Sequence, residues 1–421
     1  MTDNSSTSNP STSNPSTSNL STPKQRKWLT SIRSALLEWF ATSQRELPWR
    51  QTTDPYAIWI SEIMLQQTQV ATVLPYYFRF LGRFPTVQEL ASADEVELMR
   101  YWEGLGYYRR ARQMHAASKQ IIEAHNGVFP TYFEEVLALP GIGRYTAGAI
   151  CSFAYDASTP IVEANTQRLY ARLLQWDKPL TERQSQDRLW EFAAAILPET
   201  SGSRQVNYAA MELGSLVCRP QPDCPRCPVV GLCPTARNGL QTSIPAPKVK
   251  TVYSDRFEVA LLIRDHDCEN EDRNKHSDAP KYIIRQCGPN EWWTGLWDFP
   301  RIEISAEDFE ELDRPLLVSS IREKSSQNNK NSTRKDQLAP AFQKINESLL
   351  NRFGIAIQIQ GGALRTIKHS VTRYRIQLRV CNARLMGPFT SDLPGFRWAA
   401  LEEIHALPLS ASARKVFQGL Q

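Results

Sequence analysis

The spacing of apolar residues changes once along the chain, and the change predicts two kinds of domain. From Trp28 to about Ala236 the apolar residues recur at helical spacing, and proline and glycine fall mainly between the periodic runs. The clearest predicted helices are SIRSALLEWFAT, the run from Tyr56 to Tyr77, EVELMRYWEG, RARQMHAASKQIIEAH, TAGAICSFAY and TQRLYARLLQW. The pattern therefore predicts an all-helical domain over residues 24–236.

A different pattern follows in the C-terminal part of the chain. The segment 237–255 is rich in proline, lysine and small polar residues, which is typical of a linker. Beyond it come the β-rich runs RFEVALLIR, KYIIRQC, ALRTIKH and RYRIQLRV. We therefore predict a second domain, of mixed α and β structure, over residues 256–421.

The N-terminal residues 1–23 repeat a Ser-Thr-Ser-Asn-Pro unit and contain almost nothing apolar. Such a segment cannot bury enough apolar surface to offset the entropy lost on ordering. We expect a disordered, low-complexity tail.

Composition limits the classes of function without choosing among them. Lys and Arg number 49 against 44 for Asp and Glu, so the net charge of +5 permits a polyanionic partner and does not demand one. There is no apolar run long enough to span a membrane, and the N-terminus is too polar for a signal peptide. We expect a soluble, cytoplasmic protein.

Half of the eight cysteines crowd into one short loop. Cys218, Cys224, Cys227 and Cys233 lie within sixteen residues that are interrupted by four prolines. Structural zinc more often uses two separated C-x2-C pairs, whereas four cysteines in one tight loop suit a four-iron cubane. The spacing favours a single [4Fe-4S] cluster in a reducing compartment over zinc, and favours a pair of disulfides least.

A glycine-containing turn lies between two predicted helices, in the segment Leu139-Pro-Gly-Ile-Gly-Arg144. Gly141 and Gly143 permit a tight turn with unobstructed N–H groups, and the N-terminus of the following helix adds a dipole that favours phosphate. This is typical of a helix-hairpin-helix that binds DNA without reading its sequence. The glycines alone also suit an ordinary αα-turn, but the cysteine loop downstream favours DNA.

Two carboxylates are candidates for acid–base chemistry. Glu62 shares a predicted polar stripe with Gln66 and Gln69 on an otherwise apolar helix, and burial there would raise its pKa and make it a general acid. Taken alone, a solvent-facing stripe is the simpler interpretation. Glu163 precedes a predicted helix, where it could simply complement the helix dipole. One neutral and one ionised carboxylate are what glycosidic cleavage requires.

Six segments together closely resemble the MutY family of adenine DNA glycosylases, within the helix-hairpin-helix superfamily. They are LPWR (47–50), WISEIMLQQTQV (59–70), WEGLGYY (102–108), LPGIGRYTAGAI (139–150), NYAAMELGSLVC (207–218) and the cysteine loop. The C-terminal half resembles the family's Nudix-like domain through GLWDFP (295–300), ALRTIKHSVTRYRIQL (363–378) and FRWAALEEI (396–404). No cluster of glutamates for Mg²⁺ is visible, so nucleotide hydrolysis is not expected.

The resemblance implies a multi-domain protein: an all-α helix-hairpin-helix glycosylase domain with an iron–sulfur loop, then an α+β Nudix-like domain. It implies a bacterial, nucleoid-associated monomer that binds double-stranded DNA and removes adenine mispaired with 8-oxoguanine or guanine. The adenine would be flipped out of the stack and released by acid-catalysed hydrolysis of its N-glycosidic bond.

The resemblance also implies roles for individual residues. Glu62 matches the general acid, and Glu163 stands where the family usually has aspartate to stabilise the sugar cation. Tyr145 matches a residue near the reacting sugar, where endonuclease III-type relatives carry a lysine that cleaves the strand, so lyase activity should be weak or absent. The remaining matches are to residues that wedge into the duplex (Leu65, Gln67, Tyr107) and to residues of the base pocket (Trp49, Arg50).

We expect the C-terminal domain to recognise the lesion. Adenine is an ordinary base, so only the base opposite it in the other strand identifies the mispair. The candidate is Val371-Thr372-Arg373, where the family commonly shows Phe-Ser-His. In this sequence Val371 keeps an apolar side chain and Thr372 keeps a hydroxyl group. Arg373 replaces the histidine with a charged guanidinium group, which can donate hydrogen bonds to a phosphate or to the edge of a guanine. A plain β-turn with solvent-facing residues is the alternative.

Two competing functions are weighed against this one. An endonuclease III-like glycosylase and lyase for oxidised pyrimidines shares the hairpin and the cluster, but it would need a lysine at Tyr145 and gives no reason for the second domain. A non-catalytic DNA-binding protein would be favoured by an uncharged residue in place of Glu62, which is present.

Overall fold

The computed structural model describes residues 22–247, 252–265, 280–312, 340–389 and 393–420. The predicted tail lies outside these residues except for Thr22 and Pro23, which begin the first helix. By its contacts the chain divides into two compact units, residues 1–92 with 112–249 and residues 93–111 with 250–421. The predicted boundaries near 236 and 256 stay a prediction. No helix in the described part is both long and apolar enough to cross a membrane.

The described chain up to residue 247 is helical, as predicted. Its helices are α1 (Pro23–Ser43), α2 (Pro55–Leu65), α3 (Val70–Arg83), α4 (Val87–Ser92), α5 (Glu95–Trp102), α6 (Arg109–His125), α7 (Phe133–Leu137), α8 (Arg144–Tyr155), α9 (Ala164–Leu174), α10 (Arg183–Ala195), α11 (Ser203–Leu216) and α12 (Pro234–Arg237). Local signals fix several starts: Asp54 accepts hydrogen bonds from the backbone N–H groups of Tyr56 and Ala57, and proline occupies the first position of α2.

The single helix predicted from Tyr56 to Tyr77 is wrong. The segment breaks after Leu65, and Gln67 adopts a left-handed conformation with φ of 58° before α3 begins at Val70. The segment 66–69, Gln-Gln-Thr-Gln, has no apolar side chain that could pack against the core as part of a helix. The apolar residues before and after it nevertheless follow one helical period. Gln66 and Gln69 therefore do not share a helix with Glu62, and the predicted polar stripe does not exist.

The C-terminal unit is built around two sheets. Its strands are β1 (Ser254–Ile263), β2 (Lys281–Gln286), β3 (Trp297–Asp298), β4 (Arg301–Ile304), β5 (Ile357–Val371), β6 (Tyr374–Leu385) and β7 (Phe396–Ala400). One sheet has the order β4-β1-β6-β5 and the other β3-β2-β7. Strand β1 runs parallel to β6 and antiparallel to β4, while β5 and β6 form a hairpin.

Strand β1 is buried on both faces because helices and the second sheet cover it. Its residues Val259, Leu261 and Ile263 enter a core with α14 (Pro340–Phe353), whereas Ala260 and Leu262 enter a second core with α16 (Ala411–Gln418). Alternate strand residues point to opposite faces, so one continuous apolar run serves both cores. Two short helices, α13 (Ala306–Glu311) and α15 (Leu401–Ala406), follow β4 and β7. The predicted fold class, helical and then mixed α and β, is confirmed.

Candidate active site

A cavity of about 810 Å³ opens in the helical unit where the ends of α2, α8, α9 and α11 meet. This volume lies within the range of about 300–1,000 Å³ that ligand sites occupy. Three sequence-predicted catalytic residues line it together, namely Glu62, Tyr145 and Glu163.

Glu62 lies in the last turn of α2 and is only 3% exposed. The solvent-facing interpretation is therefore wrong for this residue. Burial is the main cause that raises the pKa of Glu62, and the nearby charge of Glu163 raises it further. The hydrogen bond from Tyr145 and the charge of Arg50 lower the pKa, and the net value is about 7. A carboxyl group with this pKa is substantially protonated near neutral pH and can donate a proton.

Tyr145, in the first turn of α8, fixes the orientation of that carboxyl group. Its hydroxyl donates a hydrogen bond of 2.7 Å to Oε2 of Glu62. Burial first, and then the charges of Glu62 and Glu163, raise the pKa of the Tyr145 hydroxyl well above its usual value, so the phenol keeps its proton. A neutral phenol can hold the carboxylate in place and offers no amine for a Schiff base.

Glu163 caps α9 and faces the same cavity. Its Oε1 accepts the N–H of Thr166 at 2.9 Å, and its Oε2 accepts the N–H of Asn165 at 2.8 Å. Burial raises the pKa of Glu163 in spite of these bonds and of Arg168. The helix-capping interpretation is thus realised in the structure, and the carboxylate also stays at the cavity wall.

The pocket candidates Trp49 and Arg50 follow one another in a short 3₁₀ turn, Pro48–Arg50. Trp49 is buried, with its ring edge against Tyr77 at a centroid distance of 5.3 Å. Arg50 lies over the ring of Tyr208 at 5.2 Å. Both candidates line the cavity, as does Tyr208, which also stacks on Phe153 with centroids 4.1 Å apart.

Sequence reasoning missed the residue that holds Arg50. Glu212 of α11 is fully buried, and its Oε2 lies 2.7 Å from Nη2 of Arg50 and 2.7 Å from Nη2 of Arg45. Burial alone would raise the pKa of Glu212, but the two guanidinium groups outweigh it and bring the pKa to about 2. A charged residue inside the apolar run NYAAMELGSL was the available signal, since buried carboxylates need a partner.

The helix-hairpin-helix turn joins α7 to α8 as predicted. Gly141 has φ of 76°, and a Cβ there would lie 2.6 Å from Cβ of Gln113, so the position requires glycine. Gly143 has an ordinary negative φ and caps α8, where an added Cβ would meet nothing within 4 Å. The conformational argument thus holds for Gly141 and not for Gly143, whose contribution is an uncovered helix N-terminus.

The three wedge candidates do not lie together in one element. Leu65 and Gln67 line the cavity at the break after α2, and Gln67 is exposed. Tyr107 is 55% exposed in the loop before α6, with a left-handed φ of 48°, and belongs to the segment grouped with the other unit. All three have side chains accessible to a partner.

The four loop cysteines line one small cavity between α9 and α12. None is bonded to another cysteine, so disulfide pairing is absent from this loop. Nη1 of Arg172, a buried residue of α9, lies 3.3 Å from Sγ of Cys218, and Cys227 and Cys233 accept backbone N–H groups. Burial outweighs these backbone donors and raises the pKa of the Cys227 and Cys233 thiols above the usual value. In the described residues no three His, Cys, Asp or Glu side chains converge on a position for a single metal ion.

A second arginine of α9 connects the cysteine loop to the cavity wall. Arg168 donates to the carbonyl oxygen of Cys218 at 2.7 Å and to Oδ1 of Asn165 at 3.0 Å. Asn165 in turn contacts the carboxylate of Glu163. The sequence contains no local signal for this connection, because it joins residues about fifty positions apart.

The lesion-recognition candidates form the turn between β5 and β6. Val371 ends β5, Thr372 and Arg373 are exposed, and Tyr374 begins β6. Thr372 has φ of 52°, which is unusual for a β-branched residue and indicates a constrained turn. Nη2 of Arg373 lies 3.2 Å from the hydroxyl of Tyr374. The turn presents its side chains outward, as either interpretation of the sequence expects.

Two protein families match this chain, one in its helical part and one in its C-terminal part. Residues 60–195 match the HhH-GPD superfamily of base excision DNA repair proteins, and residues 276–419 match the NUDIX domain. The human adenine DNA glycosylase is 30% identical over 93% of this chain and 74% of its own length. The adenine DNA glycosylase of Buchnera aphidicola from Schizaphis graminum is 32% identical over 66% of this chain and 77% of its own length.

A solved structure of a thermostable thymine-DNA glycosylase is 27% identical and covers 50% of this chain and 98% of its own, with a TM-score of 0.47. The two matched domains agree with the likeness to adenine DNA glycosylases, which covers about three quarters of their length. The chain belongs to the adenine DNA glycosylase family and is a DNA glycosylase of base excision repair, with a helical HhH-GPD domain followed by a Nudix-like domain.

Proposed function

We propose that the protein removes adenine mispaired with 8-oxoguanine or guanine in double-stranded DNA, by flipping the adenine out and hydrolysing its N-glycosidic bond with acid catalysis. The observation that carries this proposal is the buried Glu62, whose raised pKa and hydrogen bond from Tyr145 make it a proton donor inside a cavity large enough to admit a nucleobase. A monomer suffices, because residues of one unit of one chain line the cavity.

In the proposed reaction the proton moves from the Glu62 carboxyl group to a ring nitrogen of adenine. The bond between sugar and base then breaks, its electron pair leaves with the neutral adenine, and positive charge develops on the sugar. The carboxylate of Glu163 stabilises that charge. A water molecule adds to the sugar carbon and returns a proton to Glu62, which leaves an abasic site.

The side chain at Tyr145 supports hydrolysis without strand cleavage. A β-elimination through the enzyme would need an amine that attacks the sugar carbon, and a phenol with its proton retained cannot form that imine. We propose that lyase activity is weak or absent.

DNA contacts are assigned by exposure and position. The uncovered N-terminus of α8 at Gly143, with the turn at Gly141, suits a backbone phosphate. The exposed Gln67, with Leu65, supplies side chains that can fill the space left by a flipped base. The exposed Tyr107 of the other unit is proposed separately as a side chain that contacts DNA. Trp49 and Arg50 form part of the wall that would receive the base.

The cysteine loop fits a [4Fe-4S] cluster better than zinc. Four cysteines of one short loop line one cavity, and no histidine lies among the described residues that line it with them. A cubane takes one thiolate on each of its four irons, so this donor set suits it, whereas structural zinc more often uses two separated C-x2-C pairs. Cys218, Cys224, Cys227 and Cys233 would hold it, and when bound it would fix the loop that packs on α9.

Protein purified without oxygen is expected to contain about four irons per chain, because each of the four thiolates takes one iron of a cubane. Iron and zinc analysis of the purified chain, with its visible absorption spectrum, checks this. Arg172→Ala, which removes the donor to Cys218 Sγ, should make loss of absorbance in air faster. Stoichiometric zinc without iron would refute the assignment.

Lesion recognition by the turn Val371–Arg373 is tested by the ratio of excision rates on two duplexes. Changing Thr372 and Arg373 together to alanine should lower the preference for adenine opposite 8-oxoguanine over adenine opposite guanine by about tenfold, because discrimination must come from contacts to the opposite strand. Single-turnover rates and affinities are measured on both duplexes at one fixed salt concentration, since phosphate contacts alone would shift both together.

The same assay with the unaltered chain tests the proposed function. Adenine should be released opposite 8-oxoguanine and guanine, with strand breaks only after alkali, and thymine glycol should stay in place.

The matched control for the double variant of the turn is Leu364→Ala. Leu364 is exposed and lies on the same strand as Val371 but distant from the turn. Removal of thymine glycol with breaks before alkali would favour an endonuclease III-like activity, and an unchanged ratio in the double variant would exclude the turn.

A further inference from the structure

An ion pair within the C-terminal unit joins α16 to the loop that carries Tyr107. The segment Ala93–Ala111 belongs to this unit although it comes early in the chain. Arg414 of α16 donates from Nε to Oε1 of Glu103 and from Nη2 to Oε2 of Glu103, the latter at 2.7 Å. Two parallel hydrogen bonds of this kind make a strong and directional contact between a guanidinium group and a carboxylate.

The guanidinium group of Arg414 is held in position by its own surroundings. The side chains of Arg414 and Glu103 are only 21% and 18% exposed. Arg414 also donates to the carbonyl oxygen of Leu407 at 3.1 Å, and its guanidinium carbon lies 5.7 Å from the ring centroid of Phe417. Because these contacts orient the group, it loses little freedom when it binds Glu103. The pair is therefore better placed to fix the loop than a fully exposed ion pair would be.

The loop has an unusual backbone. Gly104, Gly106 and Tyr107 have positive φ values of 98°, 70° and 48°. Tyrosine rarely adopts such a conformation, which persists only where surrounding contacts enforce it. The carbonyl oxygen of Gly106 accepts hydrogen bonds from Nε1 of Trp102 at 3.0 Å and from Nη2 of Arg110 at 3.2 Å. Contacts outside Tyr107, and not its own backbone preference, thus maintain this conformation.

A second contact lies on the other side of Tyr107. Tyr108 is buried, and its hydroxyl oxygen lies 3.5 Å from the carbonyl oxygen of Leu409. Leu409 comes shortly before α16, the helix of Arg414. The short segment 409–414 therefore contacts the loop both before and after Tyr107, whose side chain stays 55% exposed.

We propose that Arg414 is a positioning residue for DNA recognition: through Glu103 it holds Tyr107 in a fixed place relative to the turn Val371–Arg373, so that both contact the same mispaired duplex. Tyr107 and this turn belong to one compact unit. The inference rests on the proposed contact of Tyr107 with DNA. Arg414 acts through the loop and takes no part in the chemistry of excision.

Hydrogen exchange of the DNA-free chain tests whether the ion pair holds the loop. The N–H group of Arg110 donates to the carbonyl oxygen of Tyr107 at 2.8 Å, so its exchange reports opening of the loop. Arg414→Ala and Glu103→Gln should each raise the exchange rate of peptides covering residues 103–110 by about fivefold. Glu103→Gln keeps the size of the side chain and repeats the test with little change in packing.

Three further chains separate the paired geometry from charge alone. Arg414→Lys keeps the charge without the two parallel hydrogen bonds and should restore only part of the protection. Combining Glu103→Arg with Arg414→Glu reverses the pair and should restore more protection than either change alone. Lys415→Ala removes the next positive charge on the same helix, which is exposed, and should leave the exchange of the loop unchanged.

A double-mutant cycle tests whether Arg414 acts through Tyr107. The probe is a duplex with 2′-fluoro-2′-deoxyadenosine, which resists hydrolysis, opposite 8-oxoguanine, beside a fully paired duplex at the same salt concentration. Arg414→Ala and Tyr107→Ala should each weaken binding of the mispaired duplex by about tenfold, and the combined variant should bind no more weakly than Tyr107→Ala alone. Loss of a positive charge near phosphate would instead weaken both duplexes together.

Three results would overturn the positioning role. These are unchanged exchange in both Arg414→Ala and Glu103→Gln, wild-type affinity of Tyr107→Ala for the mispaired duplex, and losses that multiply in the combined variant to about 100-fold. The proposed function is tested separately by excision with the unaltered chain. Failure to release adenine there would contradict the proposed function, whereas the three results above would contradict only the positioning role.

Discussion

Replacing Glu62 by glutamine is expected to lower the rate of adenine excision by about 100-fold to 10,000-fold while leaving DNA affinity nearly unchanged. Glutamine keeps the shape of the side chain and can still accept the hydrogen bond from Tyr145. It cannot donate a proton of the required acidity to the leaving base. The measurement is single-turnover excision from a duplex with adenine opposite 8-oxoguanine, beside a binding titration of the same duplex.

Glu46→Gln is the matched control for this substitution. Glu46 is an exposed glutamate just before the LPWR segment and does not line the cavity, so the same chemical change there should leave the rate at the wild-type value. Excision by Glu62→Gln within tenfold of wild type would remove Glu62 from the role of general acid.

Glu163 gives the second large effect, and the structure shows how to separate charge from helix capping. Asparagine and aspartate cap helices about equally well, so Glu163→Asn and Glu163→Asp should both preserve the start of α9. The aspartate variant should retain substantial activity, whereas the asparagine variant should lose about 100-fold to 1,000-fold, because only a carboxylate stabilises the developing sugar cation.

The melting temperatures of the two variants distinguish a loss of activity from a loss of stability. Similar melting temperatures with very different rates would assign Glu163 to the reaction. Equal rates in the two variants would show that its hydrogen bonds to Asn165 and Thr166 are its whole contribution.

The order of elements could be predicted because apolar periodicity is a local property. The helices of the first unit follow from an apolar period of 3.6 and β6 from a period of 2, whereas β1 follows from a continuous apolar run. The break at Gln67 could not, since the apolar residues of α2 and α3 continue in phase across it. Periodicity records which residues face a core, and it does not record where the backbone turns between them.

The candidate site was predictable where one residue is unusual for its surroundings. Glu62 was a candidate because it is a carboxylate in an apolar segment, although that segment alone favoured a solvent-facing position and only the structure shows its burial. The ion pair of Arg50 with Glu212 and the contact of Arg168 with Cys218 join positions 162 and 50 residues apart. Such contacts follow only from packing, so sequence patterns could not reveal what fixes the cavity wall.

The pH dependence of excision tests the central claim most directly, namely that a buried, protonated Glu62 starts the reaction. Burial raises its pKa from 4.5 to about 7, so the acid form prevails below pH 7 and is lost above it. Single-turnover excision from an adenine and 8-oxoguanine duplex should therefore be nearly constant from pH 5.5 to 6.5 and fall about tenfold per unit above pH 7.5. A rate that stays constant or rises from pH 6 to pH 9 would contradict the account.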